Sequence, residues 1–138
     1  MRILFESKPS HTETAFFEQA LFAFNRSKIG DYSYEDFTFK AIDSSDAVVA
    51  GIHGQVGGGW LYIASLWVDE DHRGKGIGRQ LLCSAEKTAA EKNCHGAYLY
   101  TYSFQSPRYY QKFGYRIFGE LEHSCGEHTK FFLKKIFE

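Results

Sequence analysis

Three glycines at alternating positions stand where an apolar run gives way to a helical pattern. They lie in VDEDHRGKGIGRQLL, residues 68–82, after the apolar WLYIASLWV and beside Ile77, Leu81 and Leu82 at helical spacing. A helix N-terminus leaves about four backbone N–H groups unpaired and carries roughly half a positive charge, so it attracts anions. Because glycine has no Cβ, a phosphate can approach its backbone closely. The stretch therefore predicts a phosphate-binding turn between a strand and a helix.

Residue spacing separates three kinds of phosphate loop. A P-loop requires G-x-x-x-x-G-K-[ST], but Gly78 is followed by an Arg-Gln pair, which excludes it. A dinucleotide fingerprint requires G-x-G-x-x-G, yet counting on from Gly74 and Gly76 reaches Arg79, and the next apolar run ends without a carboxylate. The remaining pattern, R/Q-x-x-G-x-G/A, is matched from Arg73 to Gly78.

Hydrophobic periodicity predicts an alternation of strands and helices along the rest of the chain. Ser10 opens an S-x-x-E capping box before the first helical pattern. The strand before the glycines and the strand after the following helix form a βαβ unit, so we expect them to be parallel neighbours. Predicted strands are 2–6, 37–41, 46–55, 60–68, 96–102, 115–121 and 129–136; predicted helices are 12–25, 77–93 and 107–112.

A second motif, SPRYYQKFGY at residues 106–115, follows the strand after that helix. It contains the aromatic pair Tyr109 and Tyr110 and closes on Phe-Gly-Tyr. Together with RGKGIG it resembles the two signature segments of the GNAT superfamily, the acyl-coenzyme A-dependent N-acetyltransferases, over residues 60–119. The likeness is to small, single-domain bacterial members. It implies one α/β domain over 1–138, with a mixed, mostly antiparallel sheet of about six or seven strands, a splayed parallel pair and about three or four flanking helices.

The resemblance also implies where acetyl-coenzyme A (acetyl-CoA) binds. In the family, backbone groups of the strand before the loop pair with the pantetheine arm, and here the Leu66 N–H is the expected donor to the thioester oxygen. The loop holds the pyrophosphate. Without the second motif, Arg73 and Lys75 would be interpreted as solvent-exposed charged residues of a loop. The implied cofactor-binding residues are Leu66, Trp67, Val68, Arg73, Gly74, Lys75, Gly76, Ile77, Gly78, Arg79 and Tyr109.

The implied reaction moves two protons. An alkyl ammonium of pKa about 10.4 is neutral only at the roughly 1-in-2,500 level at pH 7, so a base must take its proton. In the family the second aromatic of the pair donates a proton to the leaving thiolate, a role that falls here to Tyr110.

The general base has no clear counterpart. Tyr62 stands where protein-acetylating members often carry a glutamate, and no carboxylate occurs between Asp46 and Asp69. A base that acts through a water molecule remains possible, and His53, Glu35 and Asp36 are the candidates. Each of them is equally explained as an ordinary surface or strand residue. The family's acceptor pocket is built from the loop near residues 25–36, which implies Tyr32, Tyr34 and Glu35 as acceptor contacts.

Composition and charge narrow the possible functions. With 16 basic and 17 acidic side chains, the net charge of −1 disfavours nucleic-acid or membrane binding through bulk charge. Three cysteines without C-x-x-C spacing and no signal-peptide pattern predict a cytoplasmic protein, and six histidines without ligand spacing predict no metal. We expect an acetyl-CoA-dependent N-acetyltransferase for a small-molecule amine. A protein or peptide amine acceptor, a noncatalytic acyl-CoA-binding module and a homodimer stay open.

Overall fold

Six strands form one sheet within residues Tyr34–Glu138 of this computed structural model, which describes residues 1–138. They are β1 (Glu35–Ile42), β2 (Val48–Gly57), β3 (Trp60–Val68), β4 (Gly96–Tyr102), β5 (Arg116–Leu121) and β6 (Lys130–Ile136). The order across the sheet is β1-β2-β3-β4-β6-β5, and every neighbouring pair is antiparallel except β3–β4. The predicted mixed, mostly antiparallel sheet with one parallel pair is confirmed.

Three α-helices complete the architecture: α1 (His11–Ile29), α2 (Ile77–Glu91) and α3 (Pro107–Gln111). Helix α1 belongs to a separate compact unit, Met1–Ser33. Ser10 is its N-cap, as the capping box predicts, and the Ser10 hydroxyl accepts a hydrogen bond from the Glu13 N–H at 3.1 Å; the helix ends at Ile29, four residues beyond the predicted end. No helix combines the length and the hydrophobicity needed to cross a membrane. A single functional domain over 1–138 stays a prediction.

The predicted strand at residues 2–6 is wrong. Residues 1–6 belong to no strand in the structure, although the strands predicted from residue 37 onward are all present. A strand needs a neighbour that completes its backbone hydrogen bonds, and the unit Met1–Ser33 holds only a helix besides this segment. An apolar run alone therefore did not determine a strand.

Helix α2 packs on one face of the sheet and forms the core. Its apolar stripe, predicted from the 3.6-residue period, buries Leu81, Leu82, Ala85 and Ala89. These side chains meet buried residues of three strands, among them Ile52, Leu61 and Leu99. Each fully buried leucine stabilises the fold by about 1.5–3 kcal/mol. The core holds α2 in place, and with it the turn that precedes the helix.

The opposite face of the sheet, here called the outer face, is rich in aromatic side chains. Because side chains alternate along a strand, β4 turns Ala97, Leu99 and Thr101 into the protein and Tyr98, Tyr100 and Tyr102 outward. Ring-to-ring contacts link Tyr98 and Tyr100 to neighbours on β3 and β6. The aromatic residues of the outer face are Trp60, Tyr62, Trp67, Tyr98, Tyr100, Tyr102, Phe118 and Phe132.

The parallel strands β3 and β4 pair along only part of their length. Their register covers Trp60↔Gly96, Leu61↔Ala97 and Tyr62↔Tyr98, and then the pairing stops. Beyond that point the β2–β3 register shifts, because His53 lies opposite Ser65 whereas Gly54 lies opposite Ile63. The extra residue on β3 is a bulge, which bends a strand away from its neighbour. Residues 63–68 and 99–102 therefore border a gap, which we call the splay.

Candidate active site

The glycine turn places left-handed backbone directly before α2. Gly74 and Gly76 have φ of +76° and +81°, and a Cβ built on either residue meets nothing within 4 Å. Gly76 is the N-cap of α2; no side chain caps the helix, and its first turn holds no acidic residue. Backbone N–H groups at this helix end are therefore available to an anion that approaches through the space over the glycines.

Charged residues around the turn fix its path. The Arg73 Nε donates a hydrogen bond to the Val68 carbonyl at 3.0 Å, which ties the loop back to the end of β3. Asp69 caps a short 3₁₀ turn, Glu70–His72, and its hydrogen bond with His72 at 3.1 Å lowers the pKa of this carboxyl. The acidic run before the glycines therefore shapes the turn. Lys75 and Arg79 are exposed beside it.

Gly78 joins the two sequence motifs. It is buried in the first turn of α2, and a Cβ at this position would collide with the Tyr109 hydroxyl and lie 3.5 Å from Val68 Cγ2. Any larger residue at position 78 would displace Tyr109 or α2. The glycine loop and the aromatic pair are thus in direct contact, although Gly78 and Tyr109 are 31 positions apart in the sequence.

A cavity of about 330 Å³ fills the splay next to these motifs. Gln105 Oε1 accepts hydrogen bonds from the Thr101 hydroxyl at 3.0 Å and from the Tyr102 N–H at 2.9 Å, so it closes one end of β4. Sequence reasoning missed Thr101 and Gln105, because neither belongs to a motif and only the splay brings them to the cavity. The lining residues are Ile63, Ala64, Ser65, Leu66, Leu99, Tyr100, Thr101, Tyr102, Gln105 and Tyr110.

Tyr110 reaches this cavity from α3. Burial raises the pKa of its phenol to about 12, with a smaller contribution from Tyr109, whose ring centroid lies 5.3 Å away. Tyr115 packs behind it at 5.9 Å and donates a hydrogen bond to Glu86 at 2.7 Å, while Lys135 pairs with the same carboxylate at 2.8 Å. Burial and this hydrogen bond raise the pKa of Tyr115 as well. Two neutral phenols thus stand one behind the other at the cavity.

Tyr34 and Glu35, two of the three residues predicted to contact the acceptor, do not line the cavity. Glu35 forms an ion pair with Lys92 at 2.9 Å, just past the C-terminal end of α2, and Tyr34 lies against Gly57 at the end of β2. Through the strand register Glu35 is level with Leu61, which is roughly 17 Å along β3 from Leu66. Tyr32 packs against Phe22 within the unit Met1–Ser33. A role for these three residues in acceptor binding stays a prediction.

A histidine–aspartate pair lies closer to the splay. His53 Nε2 and Asp36 Oδ2 are 2.9 Å apart, and Gln55 donates a second hydrogen bond to the same carboxyl at 3.2 Å. These contacts, the one from His53 first, lower the pKa of Asp36. On the sheet, His53 is the cross-strand partner of Ser65, which lines the cavity. Two of the three candidate bases thus form one hydrogen-bonded unit a single strand away from the cavity.

Histidine, cysteine and carboxylate side chains form no cluster with the composition of a metal site. No three of them lie close enough together to hold a metal ion. The three cysteines are unpaired, with Cys94 buried and Cys83 and Cys125 exposed, and none lines the cavity.

The chain is similar in sequence to known proteins. Residues 3–115 match the acetyltransferase (GNAT) family. An acetyltransferase of Agrobacterium fabrum is 34% identical over 101 residues, which are 73% of this chain and 74% of that protein. Blasticidin-S acetyltransferase of Streptomyces morookaense is 41% identical over 71 residues, 51% of this chain and 52% of that protein.

The fold is shared over nearly the whole chain. The 1.9 Å crystal structure of an acetyltransferase from Bacillus cereus superposes with a TM-score of 0.90 at 29% identity, covering 97% of this chain and 98% of that one. Sequence motifs, strand splay and these likenesses agree, and the chain belongs to the GNAT family of acetyltransferases.

Proposed function

We propose that this protein transfers an acetyl group from acetyl-CoA directly to the amine of a small molecule. The observation that carries the proposal is the contact between Gly78 and Tyr109, which joins an uncapped helix N-terminus to a tyrosine-lined splay. One element suits a pyrophosphate and the other suits a thioester arm. No cysteine lines the cavity, which favours direct transfer over an acyl-enzyme.

The residues at the turn and the splay fit this donor. The open space over Gly74 and Gly76 admits a phosphate to the backbone, and Arg73, Lys75 and Arg79 add positive charge beside it. Strand residues 63–68 have no β4 partner, so their backbone groups on that side can pair with a ligand, apart from the Val68 carbonyl, which accepts a hydrogen bond from Arg73. In this proposal the donor-binding residues are Leu66, Trp67, Val68, Arg73 to Arg79 and Tyr109, and bound acetyl-CoA supplies a thioester-activated acetyl group.

Tyr110 would donate a hydrogen bond to the sulfur as the thioester breaks. Its pKa of about 12 keeps the phenol protonated at neutral and moderately alkaline pH. A thiol has a pKa near 8.5, so complete transfer of the phenol proton to a free thiolate is uphill by roughly 3–4 pKa units. The leaving thiolate must therefore gain its proton in net terms from the one that the amine releases. Tyr110 acts mainly by stabilising the negative charge that develops on the sulfur.

His53 would accept the amine proton, directly or through one water. Asp36 holds one ring nitrogen of the imidazole at 2.9 Å, which leaves the other nitrogen to act as the base. The His53 side chain lies on the outer face of the sheet beside Ser65 and is 39% exposed. Asp36 is a positioning residue in this scheme, because it acts on the substrate only through His53.

Several features favour a small acceptor over a protein amine. Between Asp46 and Asp69 no carboxylate is present to attract a protein lysine. The surface next to the splay is aromatic, which suits a compact ring-bearing or cationic amine. The similar blasticidin-S acetyltransferase makes blasticidin S the first compound to test. A peptide amine is the second choice and a noncatalytic acyl-CoA-binding module the third.

A thiol-release assay tests the proposal. The chain is incubated with acetyl-CoA and a panel of amines that begins with blasticidin S and includes aminoglycosides, polyamines and lysine peptides. We expect amine-dependent release of coenzyme A with at least one small amine, and none with a Gly76→Val variant as the non-binding blank. Turnover with peptides alone would favour the second choice. If no amine is acetylated although coenzyme A binds, the enzyme proposal fails and the binding module remains.

A further inference from the structure

Helix α1 exposes an unusually wide apolar surface. Eight of the ten residues in AFFEQALFAF, 15–24, are apolar, and no residue of α1 is buried. Phe16, Phe17, Leu21 and Phe24 are exposed by 67%, 61%, 61% and 59%. At about 100° per residue the apolar arc spans roughly 160°, beyond the stripe of about 100° that a helix needs to cover one neighbour. The unit Met1–Ser33 contains no second element to cover this surface.

The outer face of the sheet is also open to solvent. Helix α2 packs on the other side of the sheet, while Trp67, Tyr98, Tyr100 and Phe118 on the outer face are 38% to 51% exposed. A contiguous exposed aromatic surface of this size marks an interaction site. The shape also fits, because a sheet offers a broad surface for the side of a helix.

The charges of the two surfaces disfavour contact between two outer faces. On the outer face, the Lys130 amine lies 3.8 Å from the centroid of Tyr100 and the Lys134 amine lies 5.2 Å from that of Phe118. Strands β4 and β6 carry lysines and no carboxylate, whereas α1 is balanced, with Glu13 and Glu18 against Arg26 and Lys28. Contact between two outer faces would bring lysines together, and contact between two α1 helices would leave the aromatic sheet uncovered. Helix against sheet satisfies both surfaces.

The area is sufficient for a stable dimer. A large apolar or aromatic side chain presents on the order of 200 Å², so the four named residues of α1 and the four of the outer face expose roughly 850 Å² per copy. A specific interface of standard size buries about 800 Å² per partner. Two-fold symmetry forms the helix-to-sheet contact twice and closes the assembly.

We propose that the chain forms a homodimer in which α1 of each copy packs on the outer face of the other copy. The proposal concerns assembly and stands whether or not the acetyl acceptor is a small amine. In this dimer, the unit Met1–Ser33 of one copy covers the aromatic strands of its partner, so the acceptor surface proposed beside the splay lies between the two copies.

Two glutamate substitutions test the dimer from its two sides. Leu21→Glu places a charge on the apolar arc of α1, and Phe118→Glu places one on the outer face; both side chains are already more than half exposed, so each variant can fold. Val48→Glu is the control, because Val48 is a half-exposed apolar residue outside both surfaces. We expect light scattering after size exclusion to give twice the chain mass for the wild type and for Val48→Glu. Each of the other variants should give one chain mass, with an unchanged circular dichroism spectrum.

Mixing the two disabled variants distinguishes this dimer from its alternatives. A Phe118→Glu copy keeps an intact α1, and a Leu21→Glu copy keeps an intact outer face, so their mixture can form one of the two contacts. The mixture should therefore recover a dimer that neither variant forms alone. A wild type that stays monomeric up to hundreds of micromolar overturns the proposal. A Phe118→Glu variant that still dimerises also overturns the proposal, since it would indicate contact between helices. A mixture that stays monomeric rules out the exchanged contact.

Discussion

The glycine turn and the outer face border the same strand, β3, but they depend on the sequence in different ways. The turn is six residues long, and its glycines are required by backbone conformation and by the Tyr109 hydroxyl. The outer face collects aromatic side chains from β3, β4, β5 and β6, none of which is dictated by local geometry. A site made by the backbone is visible in a short motif. A surface made by side chains becomes visible only when the strand order is known.

The largest effect is expected at the turn. In Gly76→Val, a branched side chain enters the space over the loop and the residue is held at φ +81°, so binding of coenzyme A should weaken by more than about 100-fold. Isothermal titration calorimetry with coenzyme A measures the dissociation constant. The matched control is Gly58→Val, since Gly58 also has positive φ, at +61°, and open space around its Cβ, but lies in the β2–β3 turn. Normal affinity in Gly76→Val would show that the loop does not hold the pyrophosphate.

The next effect separates chemistry from binding within the splay. Tyr110→Phe removes the hydroxyl and keeps the ring that packs on Tyr109 and Tyr115, so coenzyme A affinity should stay near normal while turnover falls by roughly 100-fold or more. Steady-state thiol release with the best amine gives kcat and KM. Wild-type turnover in Tyr110→Phe would remove this hydroxyl from the mechanism.

Burial of Tyr110 also predicts a stability change at alkaline pH. The unfolded phenol ionises near pH 10 and the folded one near pH 12, so the folded state alone keeps the proton between these values. The stabilisation is complete below pH 10 and is lost as the pH rises to about 12, by at most about 2.7 kcal/mol. Urea unfolding of wild type and Tyr110→Phe at pH 8, 10 and 11 compares the two. The wild type should lose more free energy of unfolding than the variant; parallel losses would contradict burial of a neutral Tyr110.

Much of the donor side could be predicted from sequence, and little of the acceptor side. β3 and β4 have the predicted bounds because apolar alternation and flanking glycines delimit them, and Tyr110 lies at the cavity because its motif fixes α3 after β4. The Ala64 bulge, Gln105 and the His53–Asp36 hydrogen bond depend on which residues face each other across strands, and one sequence does not state a register. The strand predicted at 2–6 failed for the same reason, since pairing needs a partner that an apolar run cannot specify.

The smallest effect tests whether the outer face takes part in the chemistry. His53→Gln removes the proposed base, but the site is open enough for water to take over in part, so we expect turnover to fall about tenfold, below the usual range for general-base catalysis. Raising the pH should restore the lost rate, because a larger fraction of the amine is then neutral without help from a base.

Gln55→Met is the matched control, since Gln55 binds the same Asp36 carboxyl from the other side. Asp36→Asn should resemble His53→Gln in its pH profile if Asp36 acts through the imidazole. A uniform loss at every pH in all three variants would instead assign this cluster to the structure of the β1–β2 edge.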